Sequence, residues 1–383
     1  MLRRRPPRSV WIAAVIVVAV AILAATVVFL DIPAPDDRHL RLVPVSVPSR
    51  TNGYAAFDTL LQRVWPIGVR RAQVEASLLG DRGSALREQF LAEWDDVTAF
   101  EHFVPPVREK SADPIFVHGE GITQLVTARA TTRRARGDHH AALADYLALV
   151  RIGHEIASQN SDSFRASGAN RIKATGLLGI RELAMEDRLD AKTIVDARTR
   201  LAERRWELGD VESVVRCEYH LDSRLILDAS SDRSSGLLKP NLTRQGFVQY
   251  CDTILGEARG PQSDTAEQWA RTFAEHLGSW RAVFRANSTG DQLLLHGMSI
   301  VDTQRWIMLE DRATDIALAL SLFRQDRGRN ATSLAELVPE FLESLPEDPF
   351  DLAPLEFDPE SGVVHRPEAT IPVAPSQQDQ RPR

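Results

Sequence analysis

The sequence predicts a mainly α-helical chain: a single N-terminal transmembrane helix, a domain of helical hairpins, and a small C-terminal helix plus β-hairpin segment. Three observations carry that expectation. Residues 10–30 are apolar and contain no charge. From Asn52 onward, apolar residues recur at spacings of three and four, the period of a helix with one buried face. After Asp326 the spacing gives way to prolines and short β-type runs. Apolar residues are 43% of the 383 and charged ones 26%, ordinary for a globular fold, while aromatics are only 7%.

The N-terminal segment reads VWIAAVIVVAVAILAATVVFL. About 20 apolar residues in a helix cross the ~30 Å hydrocarbon layer. Arg3, Arg4, Arg5 and Arg8 precede the run, and Asp31, Asp36 and Asp37 follow it. The positive-inside rule then places residues 1–9 in the cytoplasm. Everything after Leu30 is expected outside a bacterial inner (cell) membrane, with the lipid bilayer as a partner through residues 10–30. A cleaved signal peptide is the rival reading. Its apolar core is shorter, about 7–15 residues, and Phe29-Leu30-Asp31-Ile32 offers no small-x-small site.

Net charge is −7, but without those four arginines 42 basic side chains face 53 acidic ones, or −11. An acidic domain repels phosphate backbones, so nucleic acid is excluded as a partner.

Residues 31–50 read as a linker, with Pro33, Pro35, Pro44 and Pro48 disfavouring helix. The α-helical domain is expected over 51–325, a small C-terminal segment over 326–365 and a disordered tail over 366–383. The clearest hairpin covers 121–158. Leu125, Val126 and Ala130 lie at helical spacing, then Gly137-Asp138 breaks the run: Gly137 ends one helix and Asp138 caps the next. Leu143, Tyr146, Leu147, Val150 and Ile156 make the second stripe. Further helices are expected at 165–188, 191–207, 211–228, 245–257 and 265–284. Trp306, Leu309, Ala313, Ile316, Leu320 and Phe323 form a last apolar face, with Glu310, Asp311 and Asp315 off it. Ser333 is placed to cap a short helix over 334–338, and Leu355–Phe357 and Gly362–Val364 flank a turn.

Two resemblances follow from these residues. Ala130, Gly137, Asp138, Ala142, Leu143 and Tyr146 make the hairpin similar to one tetratricopeptide-type unit; a plain antiparallel helix pair gives the same pattern, and no second copy occurs at the ~34-residue period. Leu322-Phe323-Arg324 to Gly328, Ser333-Leu334-Ala335-Glu336-Leu337-Val338-Pro339 and Asp348-Pro349-Phe350 resemble an uncharacterised family of bacterial membrane-anchored helical proteins. More distantly they resemble the globular end of pseudopilins. That resemblance implies architecture and no activity. The start Arg-Arg-Arg-Pro-Pro-Arg departs from the pseudopilin pattern, which places a glycine at a peptidase site and a glutamate five residues into the apolar helix.

No catalytic, cofactor-binding or metal site emerges. A glycine-rich phosphate loop, a Gly-x-Ser-x-Gly elbow and His-Glu-x-x-His are all missing, and His154-Glu155 has Ser158 where a second histidine is needed. His118, His139, His140 and His154 share the hairpin with Glu120, Asp138 and Glu155, and read as surface or capping groups rather than a metal cluster. Trp65, Trp94, Trp206, Trp269, Trp280 and Trp306 read as core or interface anchors, and Trp11 as a membrane-boundary ring. Cys217 and Cys251 are the only cysteines. In an oxidising compartment a disulfide between them would stabilise by about 2–4 kcal/mol, and the sequence leaves that pairing open. The expected role is a non-enzymatic interaction or scaffold module of the cell envelope, with envelope proteins as partners. A secretion- or pilus-associated component and an envelope enzyme with an unrecognised site are the alternatives.

Overall fold

The computed structural model describes residues 16–19, 32–64, 84–107, 114–231, 240–259, 300–360, 362–366 and 369–372. The fold is mainly helical with a small antiparallel sheet. Along the chain the helices are α1 (Tyr54–Val64), α2 (Ser84–Thr98), α3 (Pro114–Ala135), α4 (His139–Ser158), α5 (Ser163–Met185), α6 (Ala191–Ala202), α7 (Leu208–Ser231), α8 (Pro240–Ala258) and α9 (Ile300–Arg327). The strands β1 (Glu356–Asp358), β2 (Val363–Arg366) and β3 (Ala369–Pro372) follow. The helix expected over 265–284 and Trp11, Trp65, Trp269 and Trp280 lie outside the described residues.

The single-pass inner-membrane placement is corrected. Among the described residues no helix is long and apolar enough to cross a membrane. Of the 10–30 run only residues 16–19 are described, as helix. The bilayer contact through residues 10–30, the cytoplasmic N-terminus and the extracytoplasmic domain have no support among the described residues.

The chain divides into two compact units. The smaller includes residues up to Arg41 and Glu218–Glu257; the larger includes Leu42–Cys217 and Ser299–Arg383. In the smaller unit, part of the expected 31–50 linker is packed. Arg38–Leu40 form a 3-10 turn with Leu40 fully buried. Asp37, also buried, accepts hydrogen bonds from Tyr219 Oη (2.8 Å) and from Arg244.

In the larger unit, α3, α4 and α5 pack side by side. The expected turn is present: Gly137 adopts φ +82°, and Asp138 accepts from Ala141 N at 3.2 Å. Asp162 and Asp190 cap α5 and α6 in the same way. Helices α4 and α5 approach closely enough to require glycine: a Cβ on Gly176 would lie 2.6 Å from the Tyr146 carbonyl oxygen. Phe57 of α1 meets Trp94 of α2 and Phe103 at ring separations of 6.5 and 6.3 Å.

Helix α9 is enclosed on more than its apolar face. Leu309, Ala313, Ile316, Leu320 and Phe323 are buried as expected. Asp311, expected off the buried face, is buried too, and Trp306, expected on it, is 41% exposed. Trp306 sits edge-on to Phe350 at 5.9 Å. Phe350 is positioned by its own turn, in which Asp348 Oδ1 accepts from Phe350 N (2.9 Å).

After α9, Leu334–Leu337 form a 3-10 helix, and Ser333 does not cap it. Glu336 instead accepts from Thr332 N (2.7 Å) and pairs with Arg329 (2.5 Å). The hairpin β1–β2 forms, with Phe357 opposite Val364. A third strand, β3, adds to β2 within the stretch expected to be disordered. Its Ile371 lies opposite Val364, and both are buried. An apolar partner row outweighs the polar composition on either side of it.

Alanine exceeds glycine in helix propensity by about 1 kcal/mol, so Gly176→Ala in an open helix would stabilise. Against the Tyr146 carbonyl it is expected to destabilise by about 1–3 kcal/mol. Urea unfolding followed by circular dichroism reads the sign.

Candidate functional site

Lys173 on α5 is completely buried. Its ammonium donates to Asp311 Oδ2 on α9 (2.6 Å) and to the Arg204 carbonyl (2.7 Å). Asp311 Oδ2 also accepts from Trp206 N (3.3 Å). One helical turn before Lys173, Asn170 Oδ1 accepts from Trp206 Nε1 (3.1 Å), and its amide donates to Gln304 Oε1 on α9 (3.2 Å). The spacings make this geometry: Asn170 and Lys173 are i, i+3 on α5, and Gln304 and Asp311 are two turns apart on α9. The two helices thus clasp the turn at 204–206. Burial pushes the Lys173 ammonium down and the Asp311 carboxyl up from their ordinary values, while their mutual attraction works against both shifts.

Asp311 and Trp206 also form part of the wall of a cleft of about 700 Å³. Helix α6, the turn at Arg205-Trp206, helix α9 and residues 342–347 enclose it. Met308, Asp311, Arg312 and Asp315 project from α9 at spacings of three and four, one face of the helix. Asp315 holds Arg198 Nε (2.7 Å) and Arg205 Nη2 (2.6 Å). Arg198 also donates to the Phe341 carbonyl (2.6 Å), and Arg312 to the Glu347 carbonyl. These bonds fix the strand-like rim to the helices. At the mouth Val195 is 51% exposed and Leu345 41%.

The histidines and acids of the α3–α4 hairpin are not among the residues lining the cleft. His140 is exposed, 3.7 Å from Asp190. Glu155 accepts from Phe103 N (2.8 Å) and secures the segment before α3. The side chains of His118 and Glu120 lie outside the described set. His154 is not the surface histidine expected. Its ring packs edge-on to Trp206 at 6.0 Å, and burial, with the Lys173 and Arg204 charges, pushes its pKa down to about 3. Among the described residues no group of three His, Cys, Asp or Glu side chains is placed to hold a metal ion. Cys217 belongs to the larger unit and Cys251 to the smaller, each as a buried thiol. Burial and the charges of Asp222, Glu218 and Asp252 push the Cys251 thiol up, so it is protonated near neutral pH. Comparison with protein families, with curated proteins and with solved structures finds no match.

Two predictions follow from this frame. Lys173→Met leaves Asp311 buried without its cation and is expected to destabilise by about 3–5 kcal/mol; Lys173→Met with Asp311→Leu should recover most of that loss. Thermal or urea unfolding of the single and double variants decides it.

The second concerns pH. His154 stays neutral in the folded chain down to about pH 3, whereas the unfolded chain takes up a proton near 6.5, so its contribution is lost as pH falls through that window. Asp210, raised by burial to about 6, acts oppositely: the folded chain keeps a proton that the unfolded chain has released above 3.8. From pH 6 to 4 the two offset one another. His154→Phe should therefore gain on the parent protein by about 1.4 kcal/mol per pH unit as pH falls across that range, and Asp210→Asn should lose by a similar slope. Urea midpoints at constant ionic strength supply the check.

Proposed function

We propose that this chain is a non-enzymatic interaction module, and that the cleft between α6, α9 and residues 342–347 takes a short segment of a protein partner. The observation that carries the reading is the composition of the cleft. Exposed apolar side chains, Val195 and Leu345, stand at the mouth of a cavity whose wall is built from fixed hydrogen-bonding groups. Binding sites have this form: an apolar surface supplies the driving force, and a few polar groups held in place supply orientation. A volume near 700 Å³ falls in the usual ~300–1,000 Å³ range for such sites.

The lining argues for binding over catalysis. Thr199 and Ser344 are its hydroxyls, and no histidine or cysteine stands beside them among the lining residues. A hydroxyl needs an adjacent base to act as a nucleophile. The proton acceptors of the lining are carboxylates, of which Asp311 and Asp315 are already held by Lys173, Arg198 and Arg205, and the guanidinium ions accept no proton. The helical hairpin α3–α4, joined at Gly137-Asp138, fits the same class of role: helices stacked side by side present grooves for partner segments.

Random dodecapeptides displayed on phage and selected on the full-length protein should converge on sequences that mix apolar and polar residues. Their binding should fall at least tenfold on Val195→Glu, which places a charge at the apolar mouth. Failure to enrich any sequence, or enrichment of peptides indifferent to both Val195→Glu and Leu345→Glu, overturns the reading.

A further inference from the structure

The three guanidinium groups of the cleft are not equivalent. Arg198 and Arg205 both pair with Asp315. Arg312 has no carboxylate in ion-pairing distance among the described residues. Its hydrogen bond goes to the Glu347 carbonyl, through one of five N–H donors. The group is nevertheless partly withdrawn from water, and burial pushes its pKa down; Glu347, Asp348 and Asp311 oppose that shift from a distance, and Arg205 adds to it. A half-buried cation with unused planar donors facing a cavity is stabilised by an incoming anion.

On the reading of the cleft as a segment-binding site, we propose that Arg312 is its anion subsite and accepts one carboxylate of the bound segment. The carboxylate belongs either to an acidic side chain or to a chain terminus.

The charge of the lining selects the anion. Three arginines face Asp311, Asp315, Glu343 and Glu347, and Lys173 behind the wall balances Asp311. The cleft is close to neutral before it binds anything. A single negative charge meets one uncommitted guanidinium, whereas a doubly charged phosphate would add repulsion from the acids without a second free cation to meet it. Carboxylate geometry also suits two parallel N–H donors, a fit that a lysine in the same place lacks.

The full-length protein titrated at pH 9, where the phosphonate is a dianion, with hexanoate, hexan-1-ol and hexylphosphonate, followed by ligand-observed NMR, tests the assignment. Hexanoate should bind saturably, with hexan-1-ol and hexylphosphonate each at least tenfold weaker. Arg312→Gln should weaken hexanoate at least tenfold, and Arg312→Lys by an intermediate factor, with thermal melts confirming that both variants are folded. Hexanoate binding Arg312→Gln as well as the parent, or not binding the parent, overturns the subsite.

Peptides from the phage selection separate its two sources and its dependence on the broader reading. Loss of binding on Glu→Gln or Asp→Asn exchange identifies a side chain; loss on amidation of the C-terminus identifies the terminus. Peptides sensitive to Val195→Glu but to neither change nor to Arg312→Gln would leave the segment-binding reading standing and remove the carboxylate. Arg312-dependent hexanoate binding without any selected peptide would do the reverse.

Discussion

The larger unit depends on a lysine that has no access to water. Lys173 is held between a carboxylate on another helix and a carbonyl in the intervening turn. Withdrawing an ammonium and a carboxylate from water costs several kcal/mol per ion, and their attraction offsets that only in good geometry. The pair is therefore a demanding constraint more than a source of stability. Helix α9 must present Asp311 at one height and one rotation, or the lysine is left buried and uncompensated. Once Asp311 is turned inward, residues 308, 312 and 315 are committed by helical geometry to the neighbouring surface, which is the cleft. The frame and the site are thus set by one contact.

What the sequence could convey of this follows from which forces leave a periodic trace. Apolar burial does, so the faces of α4 and α9 were legible from Leu143 to Ile156 and from Leu309 to Phe323. Local turn chemistry does as well: Gly137 and Asp138 act through their immediate neighbours, and the structure places them as their residue types require. Buried polar pairing leaves no such trace. Asp311 reads as lying off the buried face, and Asn170, Lys173 and Gln304 give no signal, because each polar partner lies more than a hundred residues away from its match across the two helices. His154 gives no sign of burial either, since the ring that packs on it, Trp206, comes from a later turn.

The C-terminal part shows the complementary failure. Ser333 has the residue type of a cap, yet the backbone at Thr332 is met by Glu336, so the local signal was right about a helical turn and wrong about which side chain closes it. Strand β3 was hidden by Pro367, Glu368 and the polar residues after it. Its four residues pair with β2 along their length, and Ile371 is buried opposite Val364. A strand added to a formed edge needs far less intrinsic preference than one that must nucleate a sheet.

Asp311 belongs to both the buried frame and the cleft wall, and this double membership bears on how the cleft can bind. A ligand reaching Asp311 meets a carboxylate whose Oδ2 already accepts from Lys173 and from Trp206 N. Asp315 is likewise committed to two arginines. The acids of α9 therefore act as fixed props beside the cations, while the Arg312 guanidinium on the same helix face uses one of its donors on the Glu347 carbonyl. Because the props are locked before any ligand arrives, little side-chain ordering remains to be lost on binding, which is the condition under which a modest cleft achieves selectivity.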